Sequence, residues 1–245
     1  MLPQRNIYSN AWLVGSSGGI GRELLRVIQK HSKNVVAGDI RGVNNKKNQK
    51  TAYFKVDCSE KKQLDDFARV AINKYGSPDL LVIAAGEVIS KSLEDSNEDE
   101  LDRIYRNNFK LVVLMLQKFF EVCDRRNSVI KNIVIISSNA ASEARPNQPI
   151  YAAMKSAINS LVQTQAVSWG INNIKINVIA PGTVVVNRNR DFLMQKYKNF
   201  PLDPSRPSGK ILFPRNLFPA LEFLLYKDLN TTGQILIIDG GSNLV

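Results

Sequence analysis

Strand-length runs of Val, Ile and Leu alternate with helix-length amphipathic stretches along the whole chain, and this alternation constrains the fold more than any other feature. Ala11 to Val14, Asn34 to Gly38, Tyr53 to Val56, Leu80 to Ala84, Asn132 to Ile136, Lys175 to Ile179 and Ile235 to Ile238 read as strands. Several are nearly continuously apolar, as parallel strands buried on both faces must be. Between them Ile20 to Lys30, Lys62 to Tyr75, Glu98 to Asp124, Tyr151 to Trp169 and Leu217 to Tyr226 repeat their apolar residues at helical spacing. Strand and helix in alternation imply right-handed crossovers and an α/β fold: one doubly wound, mostly parallel seven-stranded sheet with helices on both faces, spanning residues 1–245. Residues 183–214 are irregular, with four prolines (Pro201, Pro204, Pro207, Pro214) and several charges. An excursion beyond the carboxyl end of a parallel strand lies over the ligand crevice, so this segment is expected to be a substrate lid.

The 245 residues, 44% of them hydrophobic, can bury a full core. The longest apolar run, Leu111 to Leu116, falls well short of the roughly 18 to 20 residues that span a bilayer. Pro3, Gln4, Arg5 and Asn6 interrupt any signal-peptide core, so a cytoplasmic protein without membrane contact is expected. Cys58 and Cys123 are too few for a disulfide framework and have no metal-site spacing. The single histidine, His31, excludes multi-histidine metal sites and sits at the end of a predicted helix, where an imidazole favours the carbonyl dipole. Thirty-three Lys and Arg against 22 Asp and Glu leave a net charge of +11, which fits either a solvated basic surface or docking of an acidic partner. Nothing resembles a nucleic-acid motif, so no nucleic-acid partner is expected.

Gly15-Ser16-Ser17-Gly18-Gly19-Ile20-Gly21 follows the first strand and opens the first helix. Glycines there allow a tight turn whose backbone amides and helix dipole face a pyrophosphate, although an ordinary strand-to-helix turn uses glycine as well. The second strand ends at Asp39, about 20 residues on, where a carboxylate can accept both adenosine ribose hydroxyls and would repel a 2′-phosphate. Asp39 and Gly18 point to NAD; Arg41 points to NADP, which stays open.

Tyr151 and Lys155 stand four residues apart and so share one face of a predicted helix. Ser138, beside Ser137, closes the fifth strand at the edge where the crevice should lie, and Asn108 sits in the long helix before it. Together these four can perform acid-base chemistry without histidine. A phenol with a free pKa of about 10 must fall to roughly 7 or 8 to transfer its proton near neutrality, a cost of about 3 to 4 kcal/mol that a neighbouring ammonium and a cationic cofactor ring can supply.

At these residues the chain resembles the short-chain dehydrogenase/reductase family over nearly its whole length. The resemblance is carried by the glycine loop, Asp57 after the third strand, Ala85-Gly86, Asn108, Ser138, Tyr151-Ala152-Ala153-Met154-Lys155, Asn177 to Val184 including Pro181-Gly182, and Thr232-Gly233 with Asp239-Gly240-Gly241. It implies a Rossmann-like fold, with Tyr151 as general acid/base, Ser138 positioning the substrate oxygen, Lys155 holding the nicotinamide ribose and Asn108 anchoring a water relay. It further implies cofactor contacts from Gly15, Ser17, Gly19, Ile20, Gly21, Asp39, Asp57, Cys58, Ala84, Ala85, Gly86, Tyr151, Lys155, Pro181, Gly182 and Val184, and no metal. The expected activity interconverts a secondary alcohol and a ketone with NAD, or NADP, as hydride acceptor.

Three departures from the family pattern stand out: Ile83-Ala84-Ala85-Gly86 lacks two asparagines, Val186 replaces a threonine near the nicotinamide, and Met154 replaces a small residue. None removes a reacting group. A 3-oxoacyl-[acyl-carrier-protein] reductase is the alternative, favoured by the basic charge and by Arg125-Arg126 as a docking site for an acidic carrier, and disfavoured by Asp39; a dinucleotide-binding protein without turnover is a third. The resemblance also implies a homotetramer, for which the apolar face of Leu111, Leu114, Met115 and Phe119 could serve, although a core could claim it equally.

Overall fold

The computed structural model describes residues 8–42, 50–123, 129–197, 200–203, 206–227 and 229–244. Its centre is a seven-stranded parallel sheet made of β1 (Tyr8–Val14), β2 (Ser32–Asp39), β3 (Thr51–Lys55), β4 (Leu80–Ile83), β5 (Lys131–Ile136), β6 (Ile174–Pro181) and β7 (Ile235–Ile238), in the order β3-β2-β1-β4-β5-β6-β7. The doubly wound, Rossmann-like fold expected from the alternation is the fold observed. Alternate residues of each strand feed opposite faces. On one side Trp12, Val14, Leu81 and Ile83 pack against helices α2 (Lys61–Tyr75), α4 (Leu111–Val122) and α5 (Pro149–Trp169). On the other, Ala11, Leu13, Leu80 and Val82 pack against α1 (Gly19–His31) and α7 (Phe218–Leu224).

Differences from the sequence expectation have local causes. β1 begins at Tyr8, not Ala11, because Asp79 accepts hydrogen bonds from the amides of Ser9 and Asn10 at 2.9 and 3.0 Å and extends the strand through polar residues. The helix expected over Glu98 to Asp124 is three segments: α3 (Glu98–Ile104), a π-helical turn (Tyr105–Lys110) and α4; Asp124 itself lies outside the described residues. The turn widens where the Asn108 side chain donates to the Ile104 carbonyl at 3.0 Å, taking the acceptor that an α-helical amide at that position would use. Leu111, Met115 and Phe119 lie in the core cluster with Leu114 packed against it, so this face belongs to the chain's own interior and gives no argument for an interface.

Residues 183–214 are more regular than expected. They carry α6 (Arg190–Lys196), whose Leu193 joins Val185 and Ile211 in a small separate core on which Tyr197, Phe200 and Phe213 pack. Phe192, Met194 and Leu202 remain exposed. Among the described residues no helix is long and apolar enough to cross a membrane.

The strand order has one consequence for the site. From β1 the chain winds outward through β2 and β3, then returns to place β4 on the other side of β1. The carboxyl ends of β1 and β4 therefore part at a switch point, where a crevice opens above the sheet.

Candidate active site

The glycine turn occupies that switch point. The Gly15 amide donates to the Gly38 carbonyl at 2.9 Å, and its φ of +86° suits only glycine. A side chain there would also lie 2.5 Å from the Ala85 amide nitrogen, so the turn fits tightly against the segment after β4. Gly18 caps α1 without a side-chain acceptor, and no acidic residue stands in the first turn, which contains Gly19, Ile20 and Gly21. The amide ends of α1 are thus free to meet an anion.

Asp39 ends β2 beside this turn, accepting from the Ser17 amide and the Arg41 amide, each at 3.0 Å. The Arg41 guanidinium reaches the same carboxylate at 3.4 Å, so the two residues read from the sequence as opposing votes form one pair. Burial pushes the Asp39 pKa up, but the bonds from Ser17 and Arg41 outweigh it and hold the carboxyl below its ordinary range. Asp57 turns its carboxylate onto the Ser59 amide and hydroxyl, at 2.9 and 2.6 Å. Cys58 is buried, and its thiol is pushed up to about 12 by that burial and by the charges of Asp57 and Asp39, so it is neither nucleophile nor ligand. Among the described residues no cluster of His, Cys, Asp or Glu could hold a metal. Pro181 ends β6, the Gly182 amide donates to the Ile238 carbonyl at 3.0 Å, and Val184 is buried at the start of the 183–214 excursion.

Ser138, Tyr151, Lys155 and Asn108 come together at the carboxyl edge of β5. Ser138 leaves the strand as the cap of a single helical turn, its hydroxyl accepting from the Ala140 amide at 3.2 Å and near enough to the Tyr151 phenol to lower its pKa. Pro149 starts α5, so Tyr151 and Lys155 fall on its first turns facing the sheet, with the Lys155 Nζ 5.5 Å from the Tyr151 ring centre. That Nζ is buried and, among the described residues, its one hydrogen bond is to the Ile136 carbonyl, at 3.5 Å. Asn108 is completely buried; its amide donates to the Glu87 carbonyl at 2.9 Å and accepts from the Glu87 amide at 3.3 Å. A methyl group on Gly86 would meet Asn108 Oδ1 at 2.9 Å and Lys155 Nζ at 3.2 Å, which explains the glycine and shows how closely these groups converge.

Several residues that shape the site carry no periodic or motif signature. Asn139 donates to Glu143 at 2.9 Å and Asp239 at 3.4 Å, holding the residue next to Ser138 from two sides. Arg145 donates to Glu143 at 2.7 Å and to Asn139 Oδ1 at 3.3 Å. Arg206 is buried, paired with Asp203 at 2.7 Å and bonded to the Asp239 carbonyl at 2.9 Å, which pins the end of the excursion to the segment after β7. Adjacency to Ser138 was the one clue to Asn139; the arginines lie in loops, where charge has no pattern. Arg125 and Arg126, expected at the crevice edge, lie outside the described residues.

Burial raises the pKa of the Tyr151 phenol; the Ser138 hydroxyl and the charges of Arg188 and Arg145 act against it, and burial wins. The resting phenol is therefore protonated.

A doubly wound parallel sheet with an anion-ready glycine turn at its switch point is the architecture of dinucleotide-binding proteins. Within that class the chain belongs to the short chain dehydrogenase family, whose model matches residues 9–196, and it is accordingly an oxidoreductase. It is 27% identical over 195 residues to an L-rhamnose 1-dehydrogenase (NAD(P)(+)) of Sphingomonas, covering 79% of this chain and 76% of that protein. It is likewise 27% identical over 243 residues, 95% of each chain, to an L-rhamnose 1-dehydrogenase (NADP(+)) of Thermoplasma acidophilum. Among solved structures, ElxO with NADP bound superposes with a TM-score of 0.85 at 21% identity, covering 96% of this chain and 98% of that one.

Lys155 has a thermodynamic signature that can be measured without substrate. Burial lowers its pKa from 10.5 to about 8. A group whose folded pKa is depressed in this direction binds its proton better when unfolded, so its ammonium costs stability below pH 8 and the cost fades as pH rises toward 10.5. That difference corresponds to roughly 3 kcal/mol. Lys155→Met is expected to raise the urea midpoint at pH 7 with an unchanged slope, by an amount that shrinks between pH 8 and pH 10; a variant less stable than the parent at pH 7 would show that the ammonium has a partner.

Proposed function

We propose that the chain interconverts a secondary alcohol and a ketone with a preference for NAD(H), using Tyr151 as the general acid/base. The observation that carries this reading is the meeting of Ser138, Tyr151 and the buried Lys155 ammonium at the carboxyl edge of β5, beside the glycine turn. The residues present fit a dinucleotide: Gly15, Gly19 and the amides opening α1 would take the pyrophosphate, Asp39 the adenosine ribose, and Lys155 with Tyr151 the second ribose, with contacts from the residues flanking Gly86 and Pro181. When bound, the nicotinamide accepts or returns the hydride at the substrate carbon.

The chain's own residues handle the oxygen. In ketone reduction the protonated Tyr151 donates to the carbonyl oxygen, while the Ser138 hydroxyl holds that oxygen in place. In alcohol oxidation the flow reverses, and Tyr151 must first lose its proton against the burial that raises its pKa. The Lys155 ammonium, 5.5 Å from the ring, offsets part of that cost, which explains why the fold tolerates a buried charge. Asn108, locked to Glu87 within the π-helical turn, would anchor a water relay from Lys155 to solvent.

Asp39 decides the cofactor. Its carboxylate would accept the ribose hydroxyls and repel a 2′-phosphate, and its hold on Arg41 removes the nearest cation that could welcome one. NADH is expected to bind at least about tenfold more tightly than NADPH in a fluorescence titration, roughly 1.4 kcal/mol; equal or tighter NADPH binding would show that Arg41 leaves Asp39 for the phosphate.

The reading as a whole is tested by Tyr151→Phe, which removes one hydroxyl and keeps the ring. NADH binding should survive while turnover of secondary alcohols or L-rhamnose with NAD falls at least about 100-fold. Near-native turnover in this variant would mean that another group moves the proton.

A further inference from the structure

Glu87 follows Gly86 after β4, and Asn107 and Asn108, neighbours in the π-helical turn, both bind it. Asn108 holds its main chain: the side-chain amide donates to the Glu87 carbonyl at 2.9 Å, and the side-chain oxygen accepts from the Glu87 amide at 3.3 Å. Asn107 holds its side chain, donating to one carboxylate oxygen at 2.7 Å, while the Arg103 guanidinium in α3 pairs with the other at 3.2 Å. Four contacts from two successive helical elements therefore converge on one residue, in a segment that has no regular structure of its own.

Stability alone does not account for this clasp. The Glu87 and Arg103 side chains are 29% and 50% exposed, and an ion pair in such a setting contributes little. What the clasp fixes is position. A methyl group on Gly86 would meet Asn108 Oδ1 at 2.9 Å and Lys155 Nζ at 3.2 Å, so the main chain just before Glu87 forms one wall of the space that holds the ammonium. Asn108 is anchored a further time by donating to the Ile104 carbonyl at 3.0 Å. Lys155 itself has a flexible four-carbon stem and, among the described residues, one hydrogen bond, a long one of 3.5 Å to the Ile136 carbonyl. Such a side chain keeps its place by confinement, and confinement is only as firm as the wall.

We infer that Glu87 is a positioning residue for proton transfer. Its carboxylate, gripped by Asn107 and Arg103, sets the main chain at Gly86 and, with Asn108, confines the Lys155 ammonium beside the Tyr151 ring. This rests on the oxidoreductase reading above, in which Tyr151 and Lys155 manage the proton, and adds a residue that acts through others. The role is geometric. Glutamine at position 87 keeps the length of the side chain and an oxygen for Asn107, so it should hold the segment; alanine keeps neither. A displacement of about 1 Å at a catalytic group costs on the order of 100-fold in rate, so even partial loosening should be visible in kcat.

Two measurements at pH 7 test it. The first is a double-mutant cycle read by the urea midpoint, with Glu87→Ala, Lys155→Met and the two combined. Lys155→Met is expected to raise the midpoint of the parent; in the Glu87→Ala background, where the ammonium can relax toward water, that gain should fall below about half, and in the Glu87→Gln background it should persist. The second is kcat for oxidation of 2-butanol, cyclohexanol and L-rhamnose at saturating NAD. Glu87→Ala should lose at least about tenfold in kcat, with KM for the alcohol moving less than about threefold and NADH affinity by fluorescence less than about twofold, and Glu87→Gln should recover most of the loss. Asn107→Ala, which removes the donor in place of the acceptor, should repeat the kcat loss and serves where Glu87→Ala does not fold. Equal midpoint gains in the parent and Glu87→Ala backgrounds, or full kcat in Glu87→Ala, would reduce Glu87 to a structural brace and overturn the inference while the oxidoreductase reading stands. A Glu87→Gln protein as impaired as Glu87→Ala also overturns it, by making the charge and not the position matter. Absence of NAD-linked turnover of all three alcohols in the parent, with NADH still bound, would remove the underlying reading and this inference together.

Discussion

A buried ammonium with no ion pair among the described residues organises the centre of this molecule. Lys155 donates to the Ile136 carbonyl at 3.5 Å, and a side chain on Gly86 would crowd both its Nζ and Asn108 Oδ1. Three elements surround that charge: β5, whose end supplies the Ile136 carbonyl; α5, which carries the lysine; and the π-helical turn, whose Asn108 lies on the same side of Gly86. The large core that surrounds them offsets the cost. Leu81, Ile83, Ile133, Ile135 and Ile158 are fully buried, and burial on this scale supports an unfavourable charge at one point.

The sequence made the frame legible because frame residues are periodic. Trp12 and Val14 against Ala11 and Leu13 split cleanly between the two faces, and the glycine turn announced the switch point before any coordinate. Elements that depend on a single hydrogen bond were not legible. Nothing in Tyr105 to Lys110 reads as anything but helix until the Asn108 amide is seen to take the Ile104 carbonyl. Nothing in Ser9-Asn10 reads as strand until Asp79 binds both amides.

The same distinction divides the site. Ser138, Tyr151, Lys155 and Asn108 were readable from their spacing and from the family resemblance, and the fold gathers them near the carboxyl end of β5. The electrostatics around them were not. The expected cation beside the phenol was Lys155, whose Nζ lies 5.5 Å from the ring centre, and the charges of Arg188 and Arg145, to which the sequence gave no weight, act to lower the phenol pKa. Those arginines come from a turn stapled by Asn189 and from a loop braced by Glu143 and Asn139. Both depend on contacts between segments far apart in the chain, which periodicity cannot encode.

The central claim is that the Tyr151 phenol, held protonated at rest by burial, becomes the group that gives up a proton once cofactor is bound. The most direct test is the pH profile of kcat for alcohol oxidation at saturating NAD, with Tyr151→Phe measured alongside. A single ionisation well below the roughly 10 of free tyrosine is predicted in the parent and absent in the variant. The same ionisation in both proteins would contradict the account.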